Sequence, residues 1–433
     1  MKKNLPIIIT SGIIILLTVV LVGVLYFVSK QPEPYRGVSP LVEIAEMEAD
    51  SSKWGINFPN QWSTLQQTKE NSSKTTYGGS VGHSKLEEDP RLVTLFAGYP
   101  FSKDYNDERG HLWSLEDVRA TKRINEKTPG TCYSCKSSNN PQLWHDMGMA
   151  DYDKIPFAEL GKEITEPIGC ANCHEAGTMR LIVTNPALEA ALEAQGKDWR
   201  TFTRQEMRTV VCGNCHVEYY FKGDGKYLTF PWENGTRIEN ISQYYSEEGF
   251  KDWDHPQTGA AMIKMQHPEF EFFTADSTHY KAGVSCADCH MPYTRDGAAK
   301  FSTHNVQSPL VNPEAACGQC HTDVEYVVER VGIIQNDVRE AMDHAEDALI
   351  SAIAAIEKAS VVENVNTELL DEARNLHREA QLRWDFIAAE NSMGFHNPTE
   401  ALRIMTIATD LARQAEIKAI QSTTGEAVST NGQ

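Results

Sequence analysis

The sequence predicts a mainly α chain in two unlike parts: a loop-rich region holding every cysteine, and a C-terminal bundle of long helices. Three observations predict it. All ten cysteines lie in C-x-x-C pairs before residue 322. The stretch from Ile333 to Met393 contains neither Gly nor Pro. Apolar residues there recur at steps of three and four, the signature of one buried helical face. With 433 residues and 41% hydrophobic side chains, the chain is large enough for a sizeable core. Its 40 basic and 60 acidic residues leave a net charge of −20, which excludes the basic face a nucleic-acid binder needs.

Residues 1–30 read as an N-terminal membrane anchor or signal segment. The run from Asn4 to Ser29 has 26 residues without a charge, and about 20 apolar residues span a bilayer as a helix. Lys2 and Lys3 precede it and place that end in the cytoplasm. A cleaved signal normally has a shorter apolar run and a small-x-small site, whereas Ser29-Lys30-Gln31-Pro32-Glu33-Pro34 follows here. An uncleaved helix is the expectation, with cleavage the alternative. Either way the remaining chain is extracytoplasmic, periplasmic or on the outer face of the cytoplasmic membrane.

Residues 31–322 follow a short Pro-containing linker and are broken by Gly and Pro, with only short helical patterns such as 186–193. Such a stretch buries poorly on side chains alone. In residues 323–433, Val331, Ile334, Val338, Met342, Ala345, Leu349, Ile353 and Ile356 make one stripe of a long helix. A second helix is expected from about 367 to 392. A third starts at Asn397-Pro398-Thr399-Glu400, with Asn as N-cap and Pro at N1. The stripe is either intramolecular core or in part a dimer interface.

Chance gives roughly 0.2 C-x-x-C pairs at this cysteine frequency, so five are a framework. Four read C-x-x-C-H: Cys170–Cys173–His174, Cys212–Cys215–His216, Cys286–Cys289–His290 and Cys317–Cys320–His321. Two thiols at this spacing reach the two vinyl groups of one porphyrin, and the next imidazole then lies under the iron. Zinc ribbons use pairs of pairs and give no reason for a following His. Covalent haem also supplies the missing apolar core, so the expected fold is a multihaem cytochrome c with a haem-packed, loop-rich region.

The remaining unit, Cys132–Cys135–Lys136, has Lys in place of His. A neutral lysine amine at pH 7 costs about 4.6 kcal/mol, which a bond to iron must exceed. A degenerate unit that binds no haem is one reading; otherwise a ligand so costly is a poor choice for plain electron transfer and makes this unit the candidate reaction centre. Beyond the four motif histidines there are ten others: His83, His111, His145, His255, His267, His279, His304, His344, His377 and His396. Spacing alone does not select the four that four six-coordinate haems require.

Four C-x-x-C-H units with a leading C-x-x-C-K resemble the pentahaem ammonia-forming cytochrome c nitrite reductases. The resemblance extends to Gly110-His111, Thr121-Lys122-Arg123, Val217-Glu218-Tyr219-Tyr220, Lys264-Met265-Gln266-His267, Ser277-Thr278-His279-Tyr280 and Gly394-Phe395-His396-Asn397-Pro398. It implies five covalently bound haem c groups and one calcium ion. Lys136 would be the proximal ligand of the active haem, with Arg123, Tyr219 and His267 over its open face. His304, His111, His396 and His279 would be distal ligands of the second to fifth haems. Glu218, Gln266 and the carbonyls of Tyr219 and Lys264 would hold the calcium, an oxygen set suited to a hard cation. Arg119, four residues before Arg123, is the alternative active-site arginine; the distance of Arg123 from the lysine unit fits the family pattern better.

The implied reaction is six-electron reduction of nitrite to ammonium. Arg123 and a protonated His267 would attract the anion, and His267 and Tyr219 would deliver protons. The implied partners are nitrite, a membrane-bound tetrahaem quinol dehydrogenase as electron donor, and a second copy in a homodimer. Two other functions fit the motifs: a multihaem electron-transfer protein with no substrate, and a related hydroxylamine or oxyanion oxidoreductase.

Overall fold

The computed structural model describes residues 5–29 and 40–424, with side chains of the first helix described for residues 12–24. Helix α1 covers Leu5–Ser29, 25 residues without a charge, and its described apolar side chains, such as Ile15 and Val22, are exposed. Among the residues with described side chains, which in α1 are 12–24 alone, no helical stretch is long and apolar enough to cross a membrane. Lys2, Lys3 and the Pro-containing linker lie outside the described residues.

From residue 40 to 322 the chain is a succession of short helices and single turns. Helix α2 (Ser51–Asn57) starts where the Asp50 carboxylate accepts from Ser52 N, and α3 (Pro59–Gln66) follows with Pro at N1. Helix α4 spans Pro186–Ala194, with the Asn185 side chain accepting from Ala187 N. Among the described residues every sheet has just two antiparallel strands, exemplified by Tyr220–Lys222 against Tyr227–Thr229. Apolar residues here form separate clusters. One gathers Leu188, Leu192, Val217 and Trp232 with Cys173 and Cys212 at its margin. Another gathers Tyr133, Trp144, Tyr152 and Leu160 beside Cys132.

The C-terminal part is three long helices: α5 (Val324–Ser360), α6 (Thr367–Ala389) and α7 (Pro398–Thr424). The stripe Val331, Val338, Met342, Ala345, Leu349, Ile353 and Ile356 is buried within this chain, with Ile334 half-buried. Each such Ile or Leu contributes about 1.5–3 kcal/mol on burial. Helix α6 stops three residues before the expected end. The buried Glu390 carboxylate accepts from Gly394 N at 2.7 Å and from Ser392 Oγ, and this turn replaces further helix. Helix α7 begins at Pro398 as expected, with Ala401 N donating to Asn397 O (2.9 Å), and the Asn397 side-chain amide nitrogen donates to Ala275 O (2.8 Å).

Helix α6 also grips the cysteine-bearing region through polar residues one turn apart. Arg374 Nε donates to Thr258 O (2.7 Å), Arg378 Nη1 to Ala261 O (2.5 Å) and Gln381 Nε2 to Leu95 O (2.7 Å). Asp385 accepts from Lys264 Nζ and Met265 N, both at 2.8 Å. The segment 258–267 is therefore laid along the bundle.

Candidate functional site

Each cysteine unit is one helical turn, which turns both thiols and the following residue toward the same side. His174 N, His216 N and His321 N donate to the carbonyls of Cys170 (3.0 Å), Cys212 (2.9 Å) and Cys317 (2.9 Å), and Cys286–His290 is a short helix. In the lysine unit, Lys136 N donates instead to Tyr133 O at 2.9 Å.

Two imidazoles bound through Nε2 to opposite faces of one metal, at about 2.0–2.1 Å each, have ring centroids about 6.3 Å apart. The structure brings His304 to 6.2 Å from His174 and His111 to 6.4 Å from His216. It brings His396 to 6.1 Å from His290 and His279 to 6.4 Å from His321. These separations can hold iron. The outer nitrogens fit as well. Nδ1 of His174 faces Met179 O (3.0 Å), that of His290 faces Gln307 O (3.1 Å) and that of His304 faces Ser302 O (3.0 Å). His396 Nδ1 meets the Glu390 carboxylate at 3.1 Å. Such partners fix the ring and leave Nε2 as the ligand atom. Two glycines close to these histidines in sequence sit where a side chain has no room: Gly394 (φ 77°), where a Cβ would lie 2.6 Å from Val338 Cγ2, and Gly110 (φ 115°), where it would lie 2.9 Å from Thr68 Cγ2.

His216 has a second neighbour, His267, at 6.5 Å. Glu269 Oε1 lies 3.6 Å from His216 Nδ1, and Glu269 is also the foremost charge acting on His267. His267 therefore stands on the Nδ1 side of His216, and Nε2 is left to His111.

The units are not wired in sequence order. Cys135 touches Cys215 and its thiol lies 3.9 Å from Asn214 O. Cys212 touches Cys286, and Cys289 neighbours Cys317 and Cys320. The second unit joins the third through Asn214, whose Nδ2 donates to Asn172 O (3.3 Å). The units thus adjoin in the order first, third, fourth, fifth, with the second beside the third.

None of the four paired histidine sets belongs to the lysine unit. Lys136 Nζ lies 3.9 Å from Glu108 Oε1, and the charges acting on Glu108 are, in order, Lys136, His267, Arg123 and Lys85. Arg123 also acts on Tyr219 and Cys132. The site residues expected from the sequence therefore surround one unit. Arg119 is committed elsewhere: its Nη2 donates to Gly161 O (3.0 Å) and Ile164 O (2.8 Å). His267 differs from the expected protonated residue. Its ring is half-buried by area, but desolvation by the surrounding protein pushes it down to about 4, so it is neutral at pH 7. The cation available to an anion is Arg123.

The calcium donors also converge. Glu218 is fully buried, and its oxygens accept from Tyr245 Oη (2.7 Å) and Gln266 N (2.6 Å). Burial pushes this carboxyl well above its usual range, a position an adjacent cation would relieve. The Gln266 amide lies 3.0 Å from Lys264 O, with Nε2 toward it. Turning that amide over presents two oxygens side by side. By contrast, the cluster of Asp89, Asp343 and Glu346 is already filled by guanidinium groups, with Arg339 Nη2 at 2.9 Å from both Asp89 and Glu346.

Sequence reasoning missed Asp385, Arg378 and Arg374, which hold the segment carrying Gln266 and His267, and Gln381, which holds the turn at Leu95. Their signal was present as polar residues at steps of four, three and four on a helix otherwise read for its apolar face.

The cytochrome c552 family model matches residues 50–433. The chain belongs to the cytochrome c552 family. Cytochrome c-552 of Parabacteroides distasonis is 43% identical over 383 residues, 87% of this chain and 77% of the relative. Cytochrome c-552 of Bacteroides fragilis is 41% identical over 385 residues, 87% and 78% of the two chains. Among solved structures, the catalytic subunit of cytochrome c nitrite reductase from Desulfovibrio desulfuricans, which has two calcium sites, superposes with a TM-score of 0.84. It is 37% identical and covers 88% of each chain.

Proposed function

We propose that this cytochrome reduces nitrite to ammonium at the Lys136 unit. The observation that carries this is an asymmetry. Four units each have a second imidazole about one iron's width away, while the fifth has Lys136 with Arg123, Tyr219 and His267 around it. A plain relay would have five equivalent units.

When bound, the five haem c groups supply an open iron for the nitrogen and a path for six electrons. Lys136, His174, His216, His290 and His321 would hold the five haem irons, with His304, His111, His396 and His279 as the second imidazoles of the second to fifth haems. Arg123 draws nitrite through a chain of charge −20 and donates to its oxygens. His267 hydrogen-bonds the departing oxygen through one ring N–H, takes a proton from solvent on its other ring nitrogen, and passes the first proton on, which returns it to the neutral imidazole. Tyr219, whose phenol burial keeps protonated, is the second hydrogen-bond donor. Glu218, the amide of Gln266 and the carbonyls of Tyr219 and Lys264 hold one calcium ion. That ion fixes Tyr219 and the segment ending at His267.

The apolar α1 serves as an N-terminal anchor and keeps the catalytic region outside the cytoplasm. Electrons come from a membrane-bound tetrahaem quinol dehydrogenase. Exposed apolar residues on α5 and α7, including Ile333, Leu402, Ile417 and Ile420, support pairing with a second copy.

The test is anaerobic titration of the reduced protein with nitrite, following the visible spectrum and ammonium together. Stoichiometric ammonium with a spectral change confined to one haem is the expected result. Five haems that all ignore nitrite would leave only electron transfer.

A further inference from the structure

Arg123 has no ion pair among the described residues. Its guanidinium carbon lies 4.0 Å from the centroid of the Phe101 ring, and the one hydrogen bond at this residue is from its backbone N to Thr121 Oγ1. Arg119 makes the contrast. It also approaches a ring, Tyr133 at 5.7 Å, but its N–H groups are spent on Gly161 O and Ile164 O.

Stacking engages the face of a guanidinium and leaves its in-plane N–H donors open. An arginine held by a carboxylate would have its charge cancelled and its fork occupied. One held by a benzene ring keeps both. Phe101 is itself firmly placed. It follows Pro100 in a single 3-10 turn, stacks on Tyr99 (5.7 Å, 4°) and meets the Tyr105 ring edge-on (5.0 Å, 80°). Lys264 Nζ lies 5.1 Å from the same ring, but that charge is matched by Asp385 at 2.8 Å. Of the two cations at Phe101, only Arg123 is free to serve an anion.

We propose that Phe101 is a positioning residue for anion binding: its π face holds the Arg123 guanidinium flat with its donors turned to nitrite. This rests on the nitrite reading above and specifies how that site selects an anion. Phe101 touches no reacting atom. Its effect is on the affinity for charged ligands.

The test compares an anion with a neutral ligand in the holoprotein. Phe101→Leu should raise the nitrite dissociation constant, read by visible titration of the ferric protein, about threefold to thirtyfold, the range a cation–π contact supports. KM for nitrite should rise in step. KM for hydroxylamine, uncharged above neutral pH, should stay within about twofold, since it gains little from a cation. Phe101→Tyr should restore nitrite affinity. Should the leucine variant fail to fold or to carry five haems, fluorinated phenylalanines placed at 101 keep the shape and weaken the ring's negative face, and nitrite affinity should fall with each added fluorine.

Unchanged nitrite affinity in Phe101→Leu or across the fluorinated series would overturn the proposal. So would equal losses for nitrite and hydroxylamine, which indicate general damage. A wild-type protein that reduces no nitrite overturns the parent reading instead, and is recognised before any variant is made.

Discussion

The two halves of this molecule solve the same problem differently. Helices α5 to α7 bury Ala345, Leu349, Ile353 and Ile356 against Ile404, Ala408 and Ala419, and that core continues without a break into Phe96, Trp253, Met262 and Phe272 of the preceding region. The remaining apolar residues before 322, away from that shared core, fall into smaller clusters whose margins are cysteines. Side-chain periodicity carries one half. The other depends on groups that the cysteines bind. Four histidine pairs about 6.3 Å apart, each including the histidine of a cysteine unit, leave room for a metal between the rings.

The largest effect follows from breaking that dependence. A chain made without haem attachment should lose amide hydrogen-exchange protection around the cysteine units and keep it across α5 to α7 and the segment 258–267 that α6 holds. Uniform loss, or uniform retention, would erase the distinction between the halves.

Next comes the lysine unit against the four histidine units. His267→Asn should lower nitrite turnover about 10²–10⁴-fold, the usual loss for a general acid, with five haems still counted by pyridine haemochrome. Lys136→His should keep five haems and change the spectrum of one. Four haems in the wild-type protein would remove Lys136 as a ligand.

The same contrast decides what was legible. The long helices were visible because a 3.6-residue period survives any context, and the attachment units because covalent chemistry fixes their spacing. The partners of His174, His216, His290 and His321 were not. His304 reaches His174 across 130 residues of sequence, and residue spacing holds no record of that approach. The resemblance to a known family supplied them, and the ring distances agree with that pairing. Asp385 was hidden differently. It lies on a helix whose apolar stripe dominated the reading, although Arg374, Arg378, Gln381 and Asp385 form a second stripe. The protonated state expected of His267 failed because desolvation is a tertiary property. Phe101 left no signal at all, since a ring beneath an arginine looks like any other core aromatic.

The bundle permits a sharper test of independence. Ile353→Ala removes a fully buried side chain from α5 and should cost about 2–5 kcal/mol in chemical denaturation. Nitrite turnover per folded molecule should not change, because Ile353 lies outside the grip of α6 on residues 258–267. A parallel fall in turnover would mean that the bundle's packing, beyond its polar stripe, shapes the site.

The smallest effect lies where the halves meet. His255 and His377 are fully buried with rings 5.4 Å apart, and neither belongs to a cysteine unit. His255 Nε2 faces Thr94 O (2.9 Å), and His377 Nε2 faces Gln381 Oε1 (3.1 Å). Burial pushes His377 from 6.5 down to about 3, so it is neutral in the folded chain while the unfolded chain takes up a proton below 6.5. Stability contributed by the neutral ring is complete above that value and drains away as pH falls toward 3, by about 1.4 kcal/mol per unit. His377→Gln, which cannot take up that proton, should flatten the decline between pH 6.5 and 4.5 in equilibrium denaturation, even if it lowers stability at neutral pH. Parallel slopes for the two proteins would show that acid acts through the haem-bearing half alone, leaving this seam indifferent to protons.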